Sequence, residues 1–184
     1  SSELARKRLE LLHDAFTKIS RVAVLLSTDG HVHRRQFAEM QKIAPTLGMQ
    51  LEALDFSNEI LNFESVFQQA IDHRAHALVV LQNPAFTAHR TRLLELVAKS
   101  RLPAIYPRRA FVEAGGLMSY GPDPSRLYRR AAVYVARILK GAKPTELPVE
   151  QPTRFELVIN LKSARALDIK IPPEVLIWAD QVIK

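Results

Sequence analysis

The chain has 184 residues, of which 47% are hydrophobic and 24% are charged. These proportions are ordinary for a globular protein and exclude a disordered, collagen-like or heptad-dominated chain. No stretch approaches the 18 consecutive apolar residues of a transmembrane helix, and the first residues lack the basic and apolar run of a secretory signal. The absence of cysteine excludes disulfides, thiolate metal sites and cysteine nucleophiles. The length predicts one full domain and a remainder.

The net charge of +7 comes from 26 Lys and Arg against 19 Asp and Glu. Such a balance favours acidic partners. The basic residues nevertheless occur as separated pairs, namely Arg34-Arg35, Arg108-Arg109 and Arg129-Arg130, with no block of five or six like charges. An unclustered basic surface predicts no nucleic-acid partner.

Five segments have the pattern of β-strands. Residues 22–26, 78–81 and 103–106 are short apolar runs closed by polar residues or proline, which is typical of strands buried on both faces. Residues 51–56 and 117–120 are weaker candidates that end at polar or glycine residues.

Helical periodicity precedes and separates these strands. In the first helix Ala5, Leu9, Leu12 and Phe16 form one apolar stripe, and the remaining face is expected to carry Arg6, Lys7, Arg8 and Glu10 outward. The second helix, from Phe37, is expected to be kinked or shortened at Pro45 and to be capped at Gly48. Further helices are predicted over 63–74, with Asn62 as N-cap, and over 88–100.

Strands that alternate with helices imply right-handed βαβ crossovers. Residues 1–121 are therefore predicted to form one α/β domain, a doubly wound parallel sheet with helices on both faces.

The remainder, residues 122–184, begins at a proline-rich turn in which Asp123 caps a helix over 124–140. A proline-punctuated connection follows, then a strand over 155–159 and a short helix over 161–167 capped by Asn160. Pro172-Pro173 is expected to open a terminal helix that ends at Lys184, with Trp178 packed in the core or at an interface.

Enzyme signatures are missing from the sequence. It has no phosphate-binding glycine loop, no Gly-x-Ser-x-Gly elbow and no His-Glu-x-x-His. His31 and His33 lack a third ligand at a recognisable spacing, so we expect them in a solvated strand-to-helix turn. The prediction is a non-catalytic protein with no catalytic residues, no metal and no cofactor.

Polar and aromatic residues cluster where the predicted parallel strands end. In such sheets ligands bind beyond the carboxyl ends of the strands, where loops converge and helix N-termini point outward. Hydroxyls, an amide, aromatic rings and guanidinium groups together suit a small organic anion or zwitterion. The alternative is that each residue is only a cap or a turn former. The candidate ligand-binding residues are Ser27, Thr28, Asp29, Asn83, Phe86, Tyr106, Arg108, Arg109, Tyr120 and Asp123.

Several long segments resemble one protein family. They are Phe111-Val112-Glu113-Ala114-Gly115-Gly116-Leu117-Met118-Ser119-Tyr120-Gly121, residues 129–132 and 138–144, Leu147-Pro148-Val149-Glu150-Gln151-Pro152-Thr153, residues 155–162, and the opening 3–12. The chain is similar over nearly its whole length to the substrate-binding components of bacterial ABC transporters, of the kind that includes tryptophan- and tyrosine-binding members.

The resemblance implies one flavodoxin-like lobe of a type I periplasmic binding protein, in which two α/β lobes clamp a ligand. An N-terminal signal and the first lobe are expected to be missing from this sequence. In that family the helix matching 124–140 crosses back to the first lobe, so its apolar stripe lacks its usual partner here. We therefore expect the tail either to fold onto its own sheet or to pair with a second copy, giving a homodimer through residues 122–184.

Departures from the family pattern affect the cleft. Asp168 stands where the family often has glycine, which Asp tolerates in a left-handed cap. Ala110 replaces a commonly acidic residue, and the turn 27–30 lacks the usual Asn-Pro pattern. The identity of the solute is therefore not transferred from the family.

The function implied is a solute receptor of a bacterial ABC uptake transporter, located in the periplasm or another extracytoplasmic space. It would bind an amino acid or a small aromatic carboxylate and present it to the permease subunits. Arg108 or Arg109 would pair with the carboxylate, Tyr106 and Tyr120 would stack or hydrogen-bond, and Ser27, Thr28 and Asn83 would hold polar groups. The alternatives are a ligand-sensing domain of a signalling or regulatory protein and, with less support, an α/β enzyme such as a transferase.

Overall fold

A computed structural model of the protein describes residues 2–27, 31–56, 62–150, 152 and 154–184. Its seven strands form one sheet in the order β2-β1-β3-β4-β5-β6-β7. The strands are β1 (Arg21–Leu26), β2 (Gln50–Asp55), β3 (Ala77–Val80), β4 (Ala104–Tyr106), β5 (Met118–Pro122), β6 (Phe155–Asn160) and β7 (Gln181–Ile183). The α-helices are α1 (Ser2–Ala15), α2 (His31–Ile43), α3 (Phe63–Asp72), α4 (Pro84–Ala88), α5 (Arg90–Ser100), α6 (Arg109–Glu113), α7 (Pro124–Leu139), α8 (Leu161–Ala166) and α9 (Pro173–Ile177).

The first five strands are parallel, and β1 lies between β2 and β3. Successive side chains of β1 point to opposite faces of the sheet and are buried on both. Val22, Val24 and Leu26 pack in one core cluster, and Ala23 and Leu25 pack in the other. The prediction of an α/β sheet with helices on both faces is confirmed.

Each face of the sheet has its own set of helices. One cluster contains Leu9 and Leu12 of α1, Met40 of α2 and Val175 of α9. The other contains Phe67 of α3 together with residues of α5 and α6. The sheet is thus covered on both sides, as the continuous apolar runs of its strands require.

The tail adds the one antiparallel pairing among the described strands. β6 lies antiparallel to β5, with Pro122 opposite Phe155 and Met118 opposite Ile159. The doubly wound sheet is therefore mixed rather than wholly parallel. The predicted boundary after residue 121 falls inside β5, and residues 155–184 return to the same sheet. Of the two expected arrangements of the tail, its strands adopt the one that folds onto the chain's own sheet.

The predicted terminal helix to Lys184 is wrong. α9 ends at Ile177, and β7 then pairs in parallel with β6. Asp180 starts this pairing because its backbone N–H donates to Leu157 O and its carboxylate accepts from Leu157 N, both at 2.9 Å. Val182 and Ile183 are β-branched and find an open strand edge, which favours a strand over a last helical turn. Trp178 is 55% exposed and so does not pack in the core.

Several local predictions from turn chemistry are confirmed. α2 stops at Ile43, and a 3₁₀ helix, Ala44–Leu47, carries Pro45 and ends at Gly48 with φ of 66°. Asn62 and Asn160 accept N-cap hydrogen bonds from α3 and α8. Asp168 adopts φ of 58°, in the left-handed region where the sequence suggested it.

Helix α7 has no buried residue among its described side chains. Its described side chains are exposed except for Tyr134, which is half-buried, and Leu139 is 82% exposed. Tyr134 donates to Pro148 O at 2.8 Å, and Arg130 forms an ion pair with Glu150. α7 therefore contacts the proline-rich connection and leaves an amphipathic face uncovered. No helix within the described ranges is both long and apolar enough to cross a membrane.

Gly121 is the position at which the sheet tolerates no side chain. A Cβ there would stand 2.1 Å from the backbone oxygen of Pro107. We expect Gly121→Ala to lower the free energy of unfolding by about 3 kcal/mol, because neighbouring backbone must move. Gly48→Ala, with open space but φ of 66°, is the control and should cost about 1 kcal/mol. Denaturant unfolding measures both, and equal losses would contradict the steric argument.

Candidate functional site

The carboxyl ends of β1, β3, β4 and β5 meet at one edge of the sheet. Ser27 follows β1, Gln82 follows β3, Arg108 follows β4 and Asp123 follows β5. The chain leaves β1 toward β2 on one side and continues from β3 toward β4 on the other. In open α/β sheets this reversal of strand order leaves a crevice at which ligands bind.

His33 joins the ends of β1 and β3 across that crevice. Its Nε2 lies 2.8 Å from Gln82 O, and its Nδ1 lies 3.0 Å from Ser27 N. Nδ1 also lies 2.9 Å from Ser27 O, so the ring contacts peptide groups at the ends of both strands whichever nitrogen carries the proton. The prediction of a solvated turn for His31 and His33 is wrong for His33, which lies in the first turn of α2 and is half-buried. His31 is exposed.

Arg108 extends this polar set to β4. The residue is exposed, and within the described part of the chain its guanidinium donates one hydrogen bond, from Nε to Gln82 Oε1 at 3.3 Å. A guanidinium with a single neutral partner keeps donors for an anion. Ser27, His33, Gln82 and Arg108 thus form a connected polar row over three strands.

Asn83 and Asp123 lie at the same edge and act as helix caps. The Asn83 side chain is buried and accepts from Ala85 N at 2.8 Å, at the start of α4. Asp123 Oδ1 accepts from Ser125 N at 2.9 Å and from Ser125 Oγ at 2.7 Å. The cap interpretation therefore holds for both, and any ligand contact would add to it.

Phe86 and Tyr106 point into the core rather than toward open surface. Phe86 is fully buried and packs edge-on against Phe56 at 5.2 Å between ring centroids. Tyr106 is fully buried and stacks on Phe111 at 5.0 Å. Burial raises the pKa of the Tyr106 hydroxyl, which has no hydrogen-bond partner among the described residues. Ligand contact at either residue stays a prediction.

Arg109 is held by acidic and amide neighbours. It forms ion pairs with Glu113 at 2.8 Å and Glu156 at 3.1 Å, and its Nη2 donates to Gln181 Oε1 at 2.6 Å. The hydrogen bond to Glu113 raises the pKa of Arg109. These bonds tie α6 to β6 and β7. Of the two arginines predicted to take a carboxylate, Arg108 makes fewer hydrogen bonds to the described residues and has no acidic partner among them.

Tyr120 lies on the α1 side of the sheet. Its ring is half-buried, 6.0 Å from the ring of Phe155, and burial raises the pKa of its hydroxyl. Its carbonyl oxygen accepts a hydrogen bond from Arg8 Nε at 2.8 Å. The other candidates, Thr28 and Asp29, lie outside the described residues.

Arg8 is the functional candidate that sequence reasoning missed. It was expected on the outward face of α1, yet it is only 3% exposed. Burial lowers the pKa of Arg8 to about 10, which leaves the group charged at neutral pH at a cost of about 3 kcal/mol. The signal was its spacing: Arg8 follows Ala5 by three residues and precedes Leu12 by four, so it lies on the apolar stripe.

No cluster of His, Asp and Glu suited to a metal ion occurs in the ranges that the structure describes. Comparison with known proteins is more informative. The family described as ABC transporter substrate binding protein matches residues 1–183. The chain belongs to this family.

Solved structures agree with this family assignment. A protein from Streptococcus pneumoniae, described as an ABC domain in complex with L-Trp, is 26% identical with a TM-score of 0.84, over 98% of this chain and 60% of that one. A conserved domain protein from Vibrio cholerae is 22% identical with a TM-score of 0.84, over 97% and 60% of the two chains. A ligand-free, open substrate binding protein with adhesive properties from Clostridium difficile is 17% identical with a TM-score of 0.69, over 97% and 59%. No curated protein matches.

The chain spans about 60% of the length of the solved structures it resembles. The family assignment and the α/β fold rest on nearly all of its own residues.

The His33 bridge generates a testable expectation. His33→Ala removes the hydrogen bonds to Ser27 and Gln82, and we expect the free energy of unfolding to fall by about 1–3 kcal/mol. Hydrogen exchange should accelerate at the Ser27 amide. His31→Ala, on the same turn but exposed, should change stability by less than about 0.5 kcal/mol. An equally large loss of stability in His31→Ala would show that the change comes from the start of α2 and not from the hydrogen bonds of His33.

Proposed function

We propose that this chain is a ligand-binding lobe of the solute receptor of a bacterial ABC uptake transporter. The observation that carries the proposal is the polar row Ser27, His33, Gln82 and Arg108 at the crevice of the sheet, in a chain of the substrate-binding family. Family membership favours this role over the sensory alternative and over an enzyme. The solute would bind, be presented to the permease in an extracytoplasmic space, and leave unchanged.

The class of solute that suits this edge of the sheet is an amino acid or a small carboxylate, aromatic carboxylates included. Arg108 offers guanidinium donors, and the Gln82 side chain and the His33 ring lie beside it in the polar row. The related Streptococcus protein holds L-Trp, which is consistent with such a solute. The solute would be clamped when a second lobe closes over the edge, and the closed form would be the one that the permease recognises.

Solute binding is tested by thermal unfolding and calorimetry with free amino acids and aromatic monocarboxylates. A solute at about 100 times its Kd stabilises the fold by about 2.7 kcal/mol, a rise in Tm of about 5–10 °C for a chain of this size. Arg108→Gln should weaken binding about tenfold, because a charge-assisted hydrogen bond is lost.

Arg165→Gln is the matched control, an exposed arginine on α8 away from this edge. It should leave the affinity unchanged. Equal weakening by both substitutions would point to general charge attraction and would contradict the site.

The uncovered face of α7 supports a two-lobed assembly. Leu127, Val135, Ile138 and Leu139 are exposed along this helix, and a cavity of about 630 Å³ opens between α7 and the connection near Tyr134. Monomers rarely leave such apolar surface open. We assign the face to packing against the other lobe of a longer protein, and in the absence of that lobe to a second copy of this chain through residues 122–184.

Light scattering of the chain tests this second assignment. We expect a monomer–dimer equilibrium whose dimer fraction increases with protein concentration. Val135→Glu with Leu139→Glu should give a monomer, because a charge on each apolar face opposes its burial. Val32→Glu, a single exposed apolar position on α2, should leave the dimer intact. A chain that remains monomeric at high protein concentration would contradict the assignment of this face to a dimer.

A further inference from the structure

Arg8 differs in its surroundings from three arginines that form ion pairs. Arg109, Arg130 and Arg154 each have a carboxylate oxygen within 4 Å. Arg8 is among the buried polar residues, yet the described part of the chain supplies it with no acidic partner, only the Tyr120 carbonyl oxygen at Nε. Its charge is therefore buried without a counter-ion.

The guanidinium lies beside the ends of β4 and β5. Arg8 Nη2 is 3.9 Å from the point where a Cβ on Gly121 would stand, and the same point is 2.1 Å from Pro107 O. Pro107 directly follows β4, and Gly121 is the penultimate residue of β5. The side chain thus reaches from α1 to the edge of the sheet that carries Arg108 and Asp123.

A buried cation without a counter-ion is stabilised most by a ligand that brings the missing charge. Nε is engaged by Tyr120 O, so Nη1 and Nη2 remain as a pair of parallel donors. Two such donors match the two oxygens of a carboxylate, and a bidentate pair is the strongest arrangement open to arginine.

We infer that Arg8 is a specificity-determining residue of the solute site, which binds the carboxylate of a monocarboxylate solute with Nη1 and Nη2. The inference rests on the proposed solute-binding function and deepens it. Arg108 at the exposed rim attracts and orients the solute, whereas Arg8 selects for the carboxylate. Amides and sugars, which carry no charge, are rejected because they leave the cation uncompensated.

The test is thermal unfolding of the whole chain at constant ionic strength in chloride, acetate, benzoate or acetamide. Acetate and benzoate should raise Tm above the chloride value in a saturable manner, and acetamide should not. Arg8→Met should weaken carboxylate binding about 10–100-fold. Its ligand-free Tm should equal or exceed that of the wild type, because a buried charge is gone. A merely structural arginine would lower the ligand-free Tm instead.

Three further variants keep the outcome decisive. Arg8→Lys retains the positive charge but lacks the paired Nη donors, and it should show part of the rise in Tm that carboxylates give the wild type. Arg8→Gln replaces Arg8→Met if the latter does not fold. Arg6→Gln, exposed on the same helix, should behave as the wild type.

The inference is overturned if Arg8→Met and the wild type bind carboxylate equally, or if acetamide stabilises as well as acetate. The proposed function fails separately. In that case acetate and benzoate act through Arg8, but no amino acid binds and Arg108→Gln has no effect on the binding of either carboxylate.

Discussion

The parallel pairing of β1 with β3 is the constraint on which the rest of the molecule depends. The register aligns Leu25 with Val80, so the two strands end side by side. The segments that follow them run to opposite faces, since α2 packs on one side of the sheet and α4 on the other. The gap between them would expose peptide groups of both strand ends, and the His33 imidazole fills it with hydrogen bonds to each. Polar groups of three strands meet there because the sheet brings them to one edge.

Two arginines near this edge illustrate opposite uses of a guanidinium. Arg109 is surrounded by Glu113, Glu156 and Gln181, so its charge is neutralised and its donors fix α6 to the last two strands. Arg8 is held by one backbone oxygen in a buried position. We expect the first to contribute to stability, and we expect the buried charge of the second to reduce stability until a negative charge is added. Such a trade between stability and function is common where a site must be ready before its ligand arrives.

Much of this structure could be predicted from local sequence alone. The apolar run ending at Leu26 identified a doubly buried strand, and the spacing of Asn62, Asn160 and Asp123 before helical stripes identified N-caps. Gln181–Ile183 could not be assigned in this way, because its strand form depends on the free edge of β6, which only the assembled sheet supplies.

The candidate site was predictable to a smaller extent. Its location followed from parallel strand order, and Ser27, Asn83, Arg108 and Asp123 do lie at that edge. The inward direction of Phe86 and Tyr106 was not visible, because residues that close a strand can turn to either face. Arg8 was misassigned because charge was given more weight than helical phase.

The register between β5 and β6 has a consequence for how this chain is built. Pro122 and Phe155 are direct cross-strand neighbours, so the segment 123–154 leaves the sheet and returns to the point where it left. The two ends of this segment are held together by the sheet. Its length adds little to the free-energy cost of closing it, because the entropy of loop closure grows only slowly with loop length. The sheet could therefore fold before α7 has found its partner. The same geometry makes 123–154 a module that can change in length and in the surface it presents without altering the register of any strand.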